Sequence, residues 1–289
     1  MRGLMVVNAF LRTTKFDDIY HTLLSAAHEC GMDLQVMTNS ELSPIVGSSA
    51  FRHTDYDFVL FWDKDIKLAM QLEALGLRLF NSADSIFRCD DKSLTYLALK
   101  HIGIPMPETI IAPMTFPNIG YTDLSFVRKI ADTLGFPIVL KECFGSFGQQ
   151  VYLYHDLPSL QDKVKSLGGT PLLFQKLVEE SYGRDARLNV VGDKVVASML
   201  RKSSDGDFRS NLTRGGTMAP YTPTEQEADL AVKSAQTLGL DFAGVDMLFG
   251  KDGPIVCEIN SNAHFKTTLE CTGINIAAEI MRHIAQTLE

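Results

Sequence analysis

Apolar positions between residues 1 and 90 switch repeatedly between two periods. GLMVVNAF is a short run rich in β-branched residues, and Asp17 to Gly31 then carries Ile19, Leu23, Leu24 and Ala27 at helical spacing before a terminal glycine. DLQVM and YDFVLFW follow as strand candidates. The second is apolar almost throughout, as a parallel strand covered on both faces is. The region reads as strand–helix–strand–strand–helix, and that alternation predicts an open parallel α/β layer. No GxGxxG turn follows the first strand, so a dinucleotide-binding reading has no support.

From Asp90, DDKSLTYLALKHIG predicts a helix that Gly103, Pro105 and Pro107 terminate before the extended GIPMPETIIA. Residues 108–178 alternate strand, helix, strand, loop, strand, helix, strand, with KECFGSFGQQV as the loop between FPIVL and VYLY. Residues 184–202 predict an antiparallel hairpin turned at Gly192-Asp193. The polar stretch KSSDGDFRSNLTRGGT has no apolar period and reads either as a loop that orders on binding or as a plain surface loop. A helix is expected over 223–239, with Thr222-Pro223 supplying its N-cap and first-turn proline. A second hairpin, FAGVDMLFG–KDG–PIVCEIN, and an amphipathic helix from Asn275 to Thr287 close the chain.

Composition narrows the class without naming it. The 289 residues are 45% hydrophobic and 21% charged, as soluble globular chains are, and the length suggests roughly two domains. A formal net charge of -8, with no basic block, argues against a nucleic-acid partner. Cys30, Cys89, Cys143, Cys257 and Cys271 are scattered without CxxC spacing and read as reduced core thiols. The N-terminal apolar run is too short for a signal peptide, and no stretch approaches the ~20 apolar residues of a membrane span. A soluble cytoplasmic protein with no membrane partner is expected.

The second hairpin carries the sharpest chemical signal. With Lys251-Asp252-Gly253 as its turn, Asp246 faces Glu258 directly, and Asn260 shares Glu258's face of the sheet. Like charges set opposite each other destabilise a sheet unless something neutralises them. A hard divalent cation with oxygen ligands does so, whereas the plain alternative is two acids that face water. Lys141 ends the strand FPIVLK, and GSFG follows four residues later. That arrangement offers a positive charge and backbone amides to a phosphate, or forms an ordinary turn. It is no Walker A loop, since no GK[ST] closes it. Lys92, at a helix start, reads either as a surface lysine or as a phosphate ligand.

Five motifs in order give the chain a resemblance to the ATP-grasp superfamily and, within it, to the RimK-like α-L-glutamate ligases. They are DDKSLTYLALKHIGIPMPET, FPIVLKECFGSFGQQV, GRDARLNVVGDKVVASMLRKSSDGDFRSNLTRGG, LGLDFAGVDML and GPIVCEINSN, and the resemblance runs from about Asp91 to the end. The resemblance implies an α/β fold of three parts. These are an N-terminal open parallel α/β domain (1–90), a small ATP-grasp lobe with a glycine-rich lid (91–178), and a large lobe with the metal site (179–289), with ATP held between the lobes. It implies that Lys92 and Lys141 meet the ATP phosphates and that Gly145, Ser146, Phe147 and Gly148 form the lid. Gln175, Lys176, Leu177 and Val178 would read the adenine edge, and Asp185, Arg209, Ser210 and Asn211 would lie on the nucleotide side. Asp246, Glu258 and Asn260 would hold Mg2+, with Mn2+ as a substitute, and Arg201, Arg209 and Lys141 would act on the reacting groups.

The implied reaction is ATP-dependent ligation of an amino acid such as L-glutamate to a peptide or small-molecule carboxylate through an acyl phosphate. Hydroxyl phosphorylation, a peptide-modifying ligase forming intramolecular links and a non-catalytic nucleotide-binding module are the alternatives, and a homo-oligomer is compatible with all of them. The chain departs from the family in two places. QKLV replaces the usual acid after the glutamine, and Ser261-Asn262-Ala263-His264-Phe265-Lys266 replaces a small residue, Pro and Gly. That second segment starts one residue past the last expected metal ligand, which makes Asn262, His264 and Lys266 candidate substrate contacts. His264 alternatively only caps or packs in the turn.

Overall fold

The computed structural model describes residues 1–11, 13–48, 51, 55–145, 148–210 and 215–289. The first unit runs β1 (Arg2–Val7), α1 (Thr14–Glu29), β2 (Asp33–Thr38), β3 (Phe58–Trp62), α2 (Ile66–Ala74), β4 (Leu79–Phe80) and α3 (Ala83–Asp90). Its strands are parallel in the order β2-β1-β3-β4. Every β3 residue is buried, which explains its unbroken apolar run. β4 and α3 were not legible in the sequence; a strand of two residues is too short to show a period.

α4 (Lys92–His101) starts at Asp91, whose side chain accepts from the Ser93 and Leu94 amides. β5 (Thr109–Ile111), α5 (Ser125–Leu134), β6 (Ile138–Glu142), β7 (Val151–Tyr154), α6 (Leu157–Ser166) and β8 (Leu172–Lys176) follow in the expected alternation. Their sheet is antiparallel, ordered β5-β8-β6-β7. Ile138 and Leu140 pack under α5 and α6 with Val127, Ile130, Leu160 and Val164. Strand alternation therefore turns Val139 and Lys141 to the opposite face.

The rest comprises β9 (Arg184–Val191), β10 (Lys194–Lys202), β11 (Thr217–Pro220), α7 (Glu225–Thr237), β12 (Phe242–Gly250), β13 (Gly253–Asn260), α8 (Lys266–Thr272) and α9 (Ile276–Leu288). The strands order as β11-β10-β9-β12-β13. β11 and α8 come from polar stretches in which no period predicted an element. The α7 N-cap is Thr224, not Thr222: Glu227, three residues on, completes a capping box with it.

Long-range packing joins the units. Ile19 and Leu23 of α1 share a core with Ile280, Met281 and Ile284 of α9 and with Val191 and Phe242 of the third sheet. Each such side chain contributes roughly 1.5–3 kcal/mol through burial. Buried Asn81, just after β4, donates to the carbonyls of Phe242 (2.9 Å) and Ser261 (3.0 Å). Its amide oxygen accepts from Asp241 N (2.6 Å), so both ends of β12 and β13 near the first unit are anchored to one side chain. α4 bridges the other two sheets, with Leu99 in the core below α7 and Tyr96 against Cys143 and Leu173. Among the described residues no helix is long and apolar enough to cross a membrane.

Candidate active site

The β12–β13 hairpin turns on Lys251-Asp252, because Gly250 pairs with Gly253. That two-residue turn, carried along the strands, would set Asp246 opposite Cys257. A register shift just past Asp246 absorbs Cys257 as a bulge and restores the expected pairing, Asp246 with Glu258 and Gly244 with Asn260. The turn was read one residue too long from the sequence, and the bulge compensates.

β9 positions the next layer of charge. Ala186, Leu188 and Val190 enter the core below α7, so Asp185, Arg187 and Asn189 lie on the other face. The register sets Arg187 opposite Asp246 and Asp185 opposite Arg201. Arg187 grips the Asp246 carboxylate with both arms of its guanidinium, Nη2 donating to Oδ2 at 2.8 Å and Nε to Oδ1. Arg201 Nη2 is 2.8 Å from Asp246 Oδ1. Arg201 also donates to both Asp185 oxygens, at 2.6 and 2.7 Å. Burial would raise the Asp246 carboxyl, but Arg187 and Arg201 outweigh it and hold it below its ordinary value. Burial likewise opposes the Arg201 charge, and Asp185 and Asp246 overcome it.

Arg187 was absent from the sequence-based site. Its signal lay in DARLN, where polar residues alternate with apolar ones along a strand that must face something charged.

Among the described residues no group of three or more His, Cys, Asp and Glu side chains stands ready for a metal ion. Asp246, Glu258 and Asn260 supply two carboxylates and an amide oxygen, and all three border one cavity. Such an all-oxygen set suits Mg2+ when phosphate oxygens complete the shell. Among the described residues Asp246 Oδ2 accepts from Arg187 alone, which leaves a lone pair for an ion. The donors fit.

Two cavities meet at this face. The smaller, about 120 Å3, lies between the second and third sheets. Its walls include Lys141, Gln175–Val178, Asp185, Arg209 and Ser210. The larger, about 400 Å3, opens towards the first unit. Gly148, Arg201, Asp246 and Glu258 border both.

Lys141 is buried, with Nζ 3.6 Å from Cys257 Sγ; burial opposes its charge, and Cys257, Tyr96 and Glu258 outweigh that and keep its pKa raised. Lys92 Nζ donates to Gly145 O at 3.0 Å and lies 3.7 Å from Glu258 Oε1. It thereby ties the glycine loop to the acidic face, without walling either cavity. Arg209 pairs with Asp207 and donates to the carbonyls of Gly148 and Val151, both at 2.9 Å, so it braces the end of the loop. Gly148 sits at φ +66, a left-handed conformation that side-chain-bearing residues rarely adopt. Ser146, Phe147 and Asn211, expected at the nucleotide, lie outside the described residues.

Asn262, Ala263, His264 and Thr267 wall the larger cavity, but Lys266 does not. Its side chain, 40% exposed, pairs with Asp18 of α1, because the residue opens α8 and turns away from the cavity. His264 packs edge-on against Phe16, ring centroids 6.3 Å apart. The opposite wall comes from the first unit, through Asn8, Tyr20, Trp62, Asp63 and Lys64. The sequence reading named none of these, since only packing across the chain brings them there.

Residues 88–284 match the family model described as the RimK-like ATP-grasp domain. The chain is 41% identical to human N-acetylaspartylglutamate synthase A over 205 residues, covering 70% of this chain and 51% of that protein. It is 36% identical to human beta-citrylglutamate synthase B over 228 residues, covering 78% of this chain and 58% of that protein. The chain thus spans little more than half the length of these relatives. A crystal structure of a RimK domain ATP-grasp protein from Sphaerobacter thermophilus superposes with a TM-score of 0.75 at 20% identity, covering 98% of this chain and 99% of that one. That match establishes the shared fold.

Proposed function

The chain belongs to the RimK-like ATP-grasp family, and from that premise we propose that it is an ATP- and Mg2+-dependent carboxylate–amine ligase working through an acyl phosphate. One observation carries the reading. A cavity walled by Lys141, Arg209 and the Gln175–Val178 strand end shares the charged face of Arg201, Asp246 and Glu258 with a second, larger cavity. A phosphoryl donor in the first and a carboxylate in the second would meet at that face. Both human relatives are named as synthases of glutamate conjugates, which supports L-glutamate as the amine and a small-molecule or peptide carboxylate as its partner.

The residues divide the work. The Lys176–Val178 backbone borders the smaller cavity at the junction of the second and third sheets, where it would hold the adenine edge. Lys141 would offset phosphate charge from within that cavity, and Lys92 would hold the glycine loop against Glu258. Asp246, Glu258 and Asn260 would hold Mg2+ or Mn2+, which when bound neutralises the phosphates and orients them for in-line transfer. Arg187 and Arg201 keep the Asp246 carboxylate fixed, and they present positive charge where the substrate carboxylate would attack the γ-phosphorus, breaking its bond to the bridging oxygen and releasing ADP. The amine then attacks the acyl carbon and phosphate leaves. Positioning and charge stabilisation suffice for such a transfer, and no protein nucleophile is required.

Products decide the matter. With ATP, Mg2+ and a panel of amino acids and carboxylates, mass spectrometry should find an amide, with ADP and phosphate formed in step with it. Stoichiometric AMP would overturn the acyl-phosphate route, and a phosphorylated hydroxyl without an amide would make the chain a kinase.

A further inference from the structure

Among the described residues Asp63 is a buried acid without a cation. Its carboxylate lines the larger cavity and accepts from the Lys64 amide (2.7 Å) and weakly from Asn8 Nδ2 (3.2 and 3.3 Å). The neighbouring ammonium is spent elsewhere, because Lys64 pairs with Asp90. Among the described residues no salt bridge reaches Asp63, which is 7% exposed. A buried carboxylate is expensive unless paired, so a missing partner at a cavity wall points to a ligand. Burial raises the Asp63 carboxyl above its ordinary value, and the Asp63 charge adds to burial in pushing the nearby Tyr20 hydroxyl up to about 12.

A second orphan stands beside it. Asn262 Nδ2 donates to the Asp63 carbonyl at 2.8 Å, which orients the amide, and its Oδ1 is buried with no partner among the described residues. Both side chains line the same cavity. The Asp63 carboxylate and Asn262 Oδ1 both present acceptors, and a donor-only cation is a group that satisfies both at once. A primary ammonium brings three N–H donors and no acceptor. Tyr20, Trp62 and Ile19 line the same cavity and add apolar surface beside such a contact.

We propose that Asp63 and Asn262 form the subsite that holds the primary ammonium of the amino-acid substrate. The inference rests on the ligase reading above and assigns the amine end of the cavity to the first unit. Position supports it: Asn262 is two residues beyond Asn260, so their Cα atoms are at most about 7 Å apart. An amine held there is within one substrate length of the acidic face.

The test uses the full chain with Mg2+ and a non-hydrolysable ATP analogue. L-Glutamate and glutarate, identical except for the amine, are the titrants for calorimetry. Wild type should bind glutamate at least about 10-fold more tightly than glutarate, the worth of a charge-assisted contact. Asp63→Asn should lose that preference while leaving affinity for glutarate and the ATP analogue within about 2-fold, and Asp63→Glu should recover part of it. Asn262→Ala should reduce the preference independently, which keeps the subsite testable should Asp63→Asn fail to fold. A wild type that does not prefer glutamate overturns the subsite, as does a folded Asp63→Asn that keeps the preference. Failure of the ligase reading looks different: the preference and its loss remain, but no substrate pair converts ATP to ADP with an amide.

Discussion

Arg187 stands directly across the β9–β12 pair from Asp246 and clasps its carboxylate, Nη2 lying 2.8 Å from Oδ2. A carboxylate read from sequence as half of a repelling acidic pair is thus already neutralised within the protein. Arg187 borders only the larger cavity, whereas Lys141 borders only the smaller. Arg187→Lys, which loses the bidentate fork, should lower kcat/KM for the carboxylate by about 10- to 150-fold with ATP affinity unchanged. Lys141→Met should weaken ATP binding instead. Steady-state kinetics and calorimetry on the same two variants check the separation.

Asp246 and Glu258 should differ in what they do for the metal-free fold. Both Asp246→Asn and Glu258→Gln should reduce turnover at least ~10²-fold. Asp246→Asn also takes the carboxylate from partly buried Arg187 and leaves buried Arg201 with Asp185 alone, and breaking a buried pair this way costs about 3–5 kcal/mol. Glu258 is more open, and among the described residues its one salt bridge is the 3.7 Å pair with Lys92, so Glu258→Gln should leave stability nearly unchanged. Urea unfolding without Mg2+ should show the contrast; equal midpoints would mean the Arg187–Asp246–Arg201 cluster contributes nothing.

Opposite pH signatures should accompany Asp246 and Asp63. Arg187 and Arg201 overcome burial to depress the Asp246 carboxyl, so its stabilisation is full above the unfolded value of 3.8 and is lost as pH falls through the folded one. Burial raises Asp63, so the folded state holds its proton more tightly. The associated stability is present below 3.8 and is lost as pH rises through the folded value. At neutral pH Asp63→Asn should therefore unfold at higher urea than wild type and Asp246→Asn at lower; the first gap should close as pH falls to 3.8, and the second only as pH falls below it. Urea midpoints from pH 3 to 8 read this directly.

Lys266 and His264, two residues apart, should separate in function. Lys266 sits in an exposed pair with Asp18 off the cavity wall, so Lys266→Ala should leave kcat/KM within about 2-fold, as exposed pairs usually do. His264 is on the wall, and His264→Ala should alter the substrate KM while ATP affinity holds. A large effect of Lys266→Ala on kcat/KM would place it in the substrate site after all.

Backbone periodicity alone determined most of the elements. The FPIVLK and DFVLFW runs, the Gly192-Asp193 turn and the capped α4 all follow from local geometry, which a short window of sequence contains. The apposition of Asp246 and Glu258 was legible for the same reason, since a hairpin pairs residues near in sequence. Even there the Cys257 bulge, which sets the final register, was not. Tertiary structure alone decided which surfaces meet. Asp63 lies beside Asn262, and Asn81 grips Phe242, across separations of 199 and 161 residues. The core that α1 and α9 share with Trp62, Phe242 and Phe265 brings those segments together. Lys266 shows the converse, a charged residue next to a site that one helical turn directs elsewhere. Periodicity is a property of neighbours along the chain, but a cavity belongs to segments that the hydrophobic cores press together, and no local pattern records which they will be.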